Sequence, residues 1–272
     1  MTQIYSLAYL TSAPMPPPDA LILAGRLGYQ AIGVRIMPAA PGGDFSPLTL
    51  DAAMLRDTVR RIEDTGVVVF DVEIARLGAQ SKLDDFAALL ETAGKLNARA
   101  ILVAGDDPDE ARLTDLFSQF CRAAAPYGLT ADLEFMPWTA VKNARAALRI
   151  ITNAGEPNGR ILVDALHAAR SATTLDDIAN LPKHLLSYAQ LCDAPAGIPA
   201  TDEELIHTAR CARLIPGTGG IDLSGLVRAL PFGLPLSLEI PNDEWLPKLG
   251  AEEWGRRALI AARRIVEGTV SK

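Results

Sequence analysis

The chain has 272 residues, is 49% hydrophobic, and carries a net charge of −7 with a pI near 5.1. That balance disfavours a nucleic-acid backbone as partner, since phosphate binding needs a basic face. No apolar run reaches the roughly 18 residues of a membrane span, and Cys121, Cys192 and Cys211 show neither CxxC nor zinc spacing, which fits free thiols in a reducing cytoplasm.

The N-terminal MTQIYSLAYLTSAPMPPP lacks a basic segment and a long apolar core, so no signal peptide is expected. The first strand is expected over Ile4–Tyr9, and the prolines from Pro14 to Pro18 are expected to stop any helix there. A helical stretch follows near Asp19–Leu27. Strand and helix then alternate: strands over Ala31–Ile36, Val67–Ile74 and Arg99–Ala104, with helices near Asp51–Thr65, Leu83–Leu96 and Asp109–Ala125. The second half continues with strands Leu129–Phe135, Arg160–Asp164, Leu185–Leu191 and Leu234–Ile240. Helices are expected near Ala140–Asn153, Thr174–Asn180, Asp202–Ala212 and Leu223–Leu230, and a last one over Glu252–Glu267. Gly66, Gly128 and Gly155 stand where helices should end. Eight strands in βα alternation, about 30 residues apart, suit a single-domain (β/α)₈ TIM barrel over residues 1–272. A doubly wound sheet usually places a glycine-rich phosphate loop after its first strand, and LAYLTSAPMPPP holds no glycine.

Four of these runs end in an oxygen-bearing side chain: LTADLEF at Glu134, RILVDAL at Asp164, LLSYAQLCD at Gln190 and LPLSLEI at Glu239. An acid after a strand is more often a helix cap or a solvated loop residue. Four on consecutive strands, three of them within or at the edge of an apolar run where an unpaired charge is costly, form an oxygen ligand set for a hard divalent cation. In a closed parallel barrel they converge at the C-terminal mouth. By alternation Asp132 shares the inward face with Glu134, unless the strand bulges or the residue lies outside the barrel. Arg35, Glu73 and Arg76 come late in or just after strands two and three; they face the same mouth or are solvated loop charges. Two arginines there suit an anionic substrate.

The motifs EFMP at Glu134, VDALH with Asp164 and His167, QLCDAP with Gln190, RLIPGTGGID from Arg213 to Asp222, and LEIP at Glu239 resemble the xylose isomerase-like TIM barrels of the sugar-phosphate isomerase/epimerase type. The resemblance implies that Glu134, Asp164, Gln190 and Glu239 bind one divalent metal ion, Mn²⁺, Mg²⁺ or Co²⁺. It further implies that Glu134 and Glu239 form the acid–base pair, with His167 and Arg213 contacting substrate; Arg35, from its place at the mouth, is a further substrate-binding candidate. The implied activity is isomerisation or epimerisation of a small sugar or polyhydroxy keto compound, by proton transfer beside a metal-bound carbonyl. The alternative is a metal-dependent dehydratase of the inosose or 3-dehydroshikimate type, which begins with the same proton abstraction. The family's endonuclease branch uses several zinc ions and a basic face, against which three histidines and the net charge argue. Homo-oligomers are common in the family. This chain departs from many relatives in carrying Thr218 where they have an acid, and Gln190 where many epimerases have histidine. Asp193 orients a ligand or caps the next segment, Trp138 is expected to pack the barrel top, and His184 and His207 are expected to be exposed.

Overall fold

The computed structural model describes residues 3–40 and 42–270. Eight parallel strands close into one barrel in chain order: β1 (Tyr5–Leu7), β2 (Ala31–Arg35), β3 (Val68–Leu77), β4 (Ala100–Gly105), β5 (Thr130–Glu134), β6 (Gly159–Asp164), β7 (Ala189–Leu191) and β8 (Leu236–Leu238). Closure comes from β8 pairing with β1, where Ser6 lies opposite Ser237 and Leu7 opposite Leu238. This is the (β/α)₈ barrel that the alternation implies. Outward side chains such as Leu7, Ile32, Val72, Ile101 and Leu133 pack the strands against the helices. A smaller cluster including Ala31, Phe70, Leu102, Leu162 and Tyr188 fills the barrel itself.

Helix starts follow local capping chemistry. Asp51 Oδ1 accepts the N–H groups of Ala53 and Met54, both at 2.9 Å, ahead of the helix Ala52–Thr65. Asn143 Oδ1 accepts from Ala146 N–H at 3.0 Å, so that helix begins at Ala144, not Ala140. The prolines do not stop a helix: Pro17–Leu27 starts among them. Proline at the first helical position lacks only an N–H that would be unpaired anyway, and its φ is already helical. Two short helices, Tyr9–Ser12 and Ala165–Arg170, were too brief to show a period. The last helical segment, Trp245–Val270, starts earlier than expected and is interrupted at Gly250.

The barrel interior is more acidic than a packed core tolerates without compensation. Asp71 is fully buried and leans against β2, where Gly33 lies opposite in register. A Cβ at Gly33 would stand 2.9 Å from Asp71 Oδ2, so only glycine leaves room for that carboxyl. Burial and then Glu73 push the Asp71 carboxyl well above the usual range, which keeps it protonated. Asp132 does face inward, and it has partners: the hydroxyls of Ser187 and Thr130 both donate to it. Burial still raises it to about 6.

Candidate active site at the barrel mouth

Strand geometry brings the four oxygen-bearing residues to one end. Glu134 and Asp164 are the last residues of β5 and β6, Gln190 lies in β7 opposite Asp164, and Glu239 follows β8 directly. All four are buried. Asp164 Oδ1 accepts the backbone N–H of His167 at 3.0 Å, which starts the helix Ala165–Arg170 and places the imidazole over the carboxylates. His167 Nε2 is 3.6 Å from Glu134 Oε1, and its Nδ1 has no partner among the described residues. Trp138 meets the imidazole edge-on, ring centroids 5.0 Å apart, so it walls the site as well as packing the barrel top.

The Gln190 amide stands 3.0 Å from Glu134 Oε1 and 3.1 Å from Asp164 Oδ2. With its nitrogen turned to them it donates to both carboxylates. With its oxygen turned to them it adds a third oxygen to the pair, an arrangement that a cation between them or a proton on Glu134 stabilises. Among the described residues, Glu134, Asp164 and His167 also offer ligand atoms all within 4.8 Å of one another. Glu134, Asp164 and His167, with the Gln190 amide against the two carboxylates, therefore offer donors that fit one divalent ion, whereas Glu239 lies outside that group and is paired with Arg213.

Arg213 is the feature that the sequence left least defined. Its guanidinium is buried between two of the expected ligands, Nη1 at 2.6 Å from Asp164 Oδ2 and Nη2 at 2.8 Å from Glu239 Oε2. Nε donates to the Ala209 carbonyl at 2.8 Å, which fixes the direction of the fork. Most of its donors are thereby committed to the protein. Burial works against the Arg213 charge, but Asp164 and Glu239 outweigh it and hold the group charged.

The same arrangement divides the titrating groups. Burial, then Asp164 and Glu239, push Glu134 well up. Glu239 is raised to about 7, chiefly by burial, with Arg213 opposing. Asp164 is buried too, yet the Arg213 guanidinium, with the backbone N–H of His167, holds it below the usual carboxylate range. His167 is pushed down to about 4 by burial, so the imidazole is neutral at pH 7.

A cavity of about 220 Å³ opens above these groups. Its buried floor is Glu134, His167, Arg213 and Glu239; its more exposed rim carries Arg35, Arg76 and Arg210. Arg35 and Arg76 thus do face the mouth. Arg35 donates to the buried Glu73 at 2.7 Å, and Arg76 pairs with Asp106 and donates to the Ala39 carbonyl at 3.1 Å. Arg210, on the last turn of the helix Asp202–Cys211, is a mouth residue that sequence reasoning missed. Only the fold shows that this turn points at the barrel. A larger surface hollow of about 600 Å³ along Pro195–Pro199 and His207 contains none of the strand-end carboxylates.

The other candidates have structural places. Asp193 caps the glycine-rich loop: Oδ2 accepts Gly217 and Gly219 N–H, both at 2.9 Å, and Oδ1 accepts Ile221 N–H at 3.1 Å. A Cβ at Gly219 would fall 2.4 Å from that carboxylate. Thr218 is exposed and donates to the Ile215 carbonyl at 2.7 Å. Cys192 is buried, its thiol pushed up to about 12, which removes any nucleophilic role. His184 and His207 are exposed.

Residues 21–263 match the family model described as xylose isomerase-like TIM barrel. The chain belongs to that family. It is 33% identical over 146 residues to a 3-dehydroshikimate dehydratase of Pseudomonas aeruginosa, covering 52% of this chain and 22% of that protein. The chain thus spans about a fifth of the length of the curated relative it matches. Among solved structures, the IOLI protein with a bound zinc atom superposes with a TM-score of 0.82 at 19% identity, covering 100% of both chains. A Methylomonas sp. D-allulose 3-epimerase in complex with D-allulose gives 0.69 at 13% identity, covering 97% of this chain and 98% of that one. A fusion of a xylose isomerase-like TIM barrel with a 4-hydroxyphenylpyruvate dioxygenase gives 0.84 at 20% identity, covering 99% of this chain and 43% of that one. At these identities the structural likenesses establish the fold. Enzymes of the family include isomerases, epimerases and a dehydratase, and among the described residues no helix is long and apolar enough to cross a membrane.

Proposed function

We propose that this protein is a metal-dependent lyase that removes water from a small, anionic polyhydroxy keto acid of the 3-dehydroshikimate kind. The observation that carries this reading is the mouth's vertical division of charge: buried carboxylates below, and above them a rim of three arginines, of which Arg35 and Arg76 are paired with Glu73 and Asp106 and Arg210 has no carboxylate partner among the described residues. A neutral ketose has no use for that rim, whereas a keto acid has one end for each level. The 33% identity to a dehydratase supports the same choice, while Gln190 in place of the histidine common in epimerases argues against a sugar 3-epimerase and leaves isomerase and dehydratase chemistry open.

Glu134, Asp164, Gln190 and Glu239 would hold one divalent ion, with Mn²⁺, Mg²⁺ and Co²⁺ the candidates. When bound, such an ion supplies Lewis-acid polarisation of the substrate ketone. Glu239, raised to about 7 and steadied by Arg213, accepts the proton from the carbon beside the ketone. Glu134, three strands away across the mouth, delivers a proton to the hydroxyl on the next carbon. The C–H and C–O bonds break, a C=C bond conjugated to the ketone forms, and one water leaves. His167, neutral and with Nδ1 free, contacts the substrate hydroxyls between them. Arg213, expected to touch substrate, instead fixes Asp164 and Glu239 and offers the substrate little beyond its charge.

Isomerase or epimerase chemistry is the second reading, favoured by the shared first step and by the Glu134–Glu239 pair. Product analysis separates the two. With Mn²⁺ present, 3-dehydroshikimate should yield a conjugated, ultraviolet-absorbing product one water lighter, while D-fructose should be unchanged. Conversion of the ketose to an isomer of equal mass, with 3-dehydroshikimate untouched, would reverse the assignment. The protein is expected to act in the cytoplasm and to form a homo-oligomer.

A further inference from the structure

We propose that Arg210 is the anion anchor of the mouth, the residue that binds the substrate's carboxylate and thereby sets which end enters the barrel. This rests on the keto-acid reading above and goes beyond it by separating one rim arginine from the others. The other basic side chains that line the cavity already have partners. Arg35 is occupied by Glu73 at 2.7 Å, and Arg76 by Asp106 and the Ala39 carbonyl. Arg213 is occupied by Asp164, Glu239 and the Ala209 carbonyl. His167 is neutral. Arg210 alone among these cations has no hydrogen bond or ion pair with any described residue, although it lines the same cavity.

A guanidinium already bound to a carboxylate must give up that partner, in whole or part, before it can bind another. A free one loses only water. Its planar fork matches a carboxylate's two oxygens. Position strengthens the case. Arg210 follows Ala209, whose carbonyl accepts from Arg213 Nε, so one helix end carries the rim cation and orients the counter-ion of the floor just beyond it. A substrate held at Arg210 by its carboxylate presents its far, ketone-bearing end to Glu134 and Glu239. A neutral polyol gains nothing from the same side chain.

The test uses the full chain loaded with Mn²⁺, as wild type, Arg210→Ala and Arg210→Lys. Calorimetric titration with shikimate, a ring carboxylate with no ketone to react, is compared with neutral myo-inositol. Arg210→Ala should weaken shikimate binding about tenfold or more, Arg210→Lys should restore part of it, and myo-inositol binding and metal content should not change. Unchanged shikimate affinity in Arg210→Ala overturns the anchor. So does an equal loss for myo-inositol, or a wild type that binds no shikimate. If shikimate binding depends on Arg210 but 3-dehydroshikimate gives no product, the lyase reading fails and the anchor stands.

Discussion

Glu239 and Arg213 are the two residues on which the chemistry turns, and they answer to different measurements. Glu239→Gln keeps the shape and an oxygen in the pocket but removes the proton acceptor. Turnover is expected to fall by about a thousandfold or more, given that general acid–base groups contribute 10²–10⁴-fold, with the circular dichroism spectrum unchanged. Activity near wild type in that variant would remove Glu239 from the acid–base role. Arg213→Met leaves Asp164 and Glu239 buried without their counter-ion. Breaking a buried pair in this way costs about 3–5 kcal/mol, so metal-free Arg213→Met should melt well below wild type in a denaturant titration at pH 7.5. The positions of Glu134, Asp164, Gln190 and Glu239 were legible in the sequence because a strand end is a local feature and the barrel does the rest. What Arg213 touches was not legible, since it depends on where a loop after the seventh strand folds back over the mouth. Arg210 was invisible for the same reason.

The element that frames the site is the loop from Pro216 to Ile221, held by one carboxylate. Asp193 accepts three of its N–H groups, and Gly219 approaches too closely for any side chain. Hydrogen bonds to a charged group contribute about 1.5–3 kcal/mol each in favourable cases. Asp193→Ala is therefore expected to lower stability by about 3 kcal/mol, and amide exchange at Gly217, Gly219 and Ile221 should quicken selectively. Uniform exchange rates across that loop in variant and wild type would contradict this role. The sequence left Asp193 divided between capping and ligand orientation because both use the same carboxylate; only the three converging N–H groups decide. Helix ends at Gly66 and Gly155 were readable, as both adopt the left-handed conformation that glycine allows. The start at Pro17 was misread because proline breaks a helix interior but suits its first turn.

For the molecule as a whole, the governing fact is excess negative charge inside the barrel. Asp71, Glu73, Asp132, Glu134, Asp164 and Glu239 are all buried, against the guanidiniums of Arg35 and Arg213. Without a metal, the folded chain relieves this by keeping protons. Glu239 is raised to about 7 and Asp132 to about 6, so the native state binds protons that the unfolded chain has already released. Stability from these groups is full below their unfolded pKa values and is lost as pH rises through 6 and 7. His167 acts in the opposite sense, since its fall to about 4 costs stability only below its ordinary value of 6.5. The metal-free protein should therefore melt at a lower temperature at about pH 8 than at about pH 6.5, and saturating Mn²⁺ should raise the melting temperature more at the higher pH. A metal-free melting temperature that climbs across that interval would contradict the charge imbalance.

The most direct test of the central claim is a single assay on chelator-stripped protein with 3-dehydroshikimate, following the absorbance of the conjugated product before and after Mn²⁺ is added. The expected result is no product without the ion and steady turnover with it. Equal turnover in stripped and reloaded protein, or none in either, would contradict a metal-dependent lyase at the four strand-end oxygens.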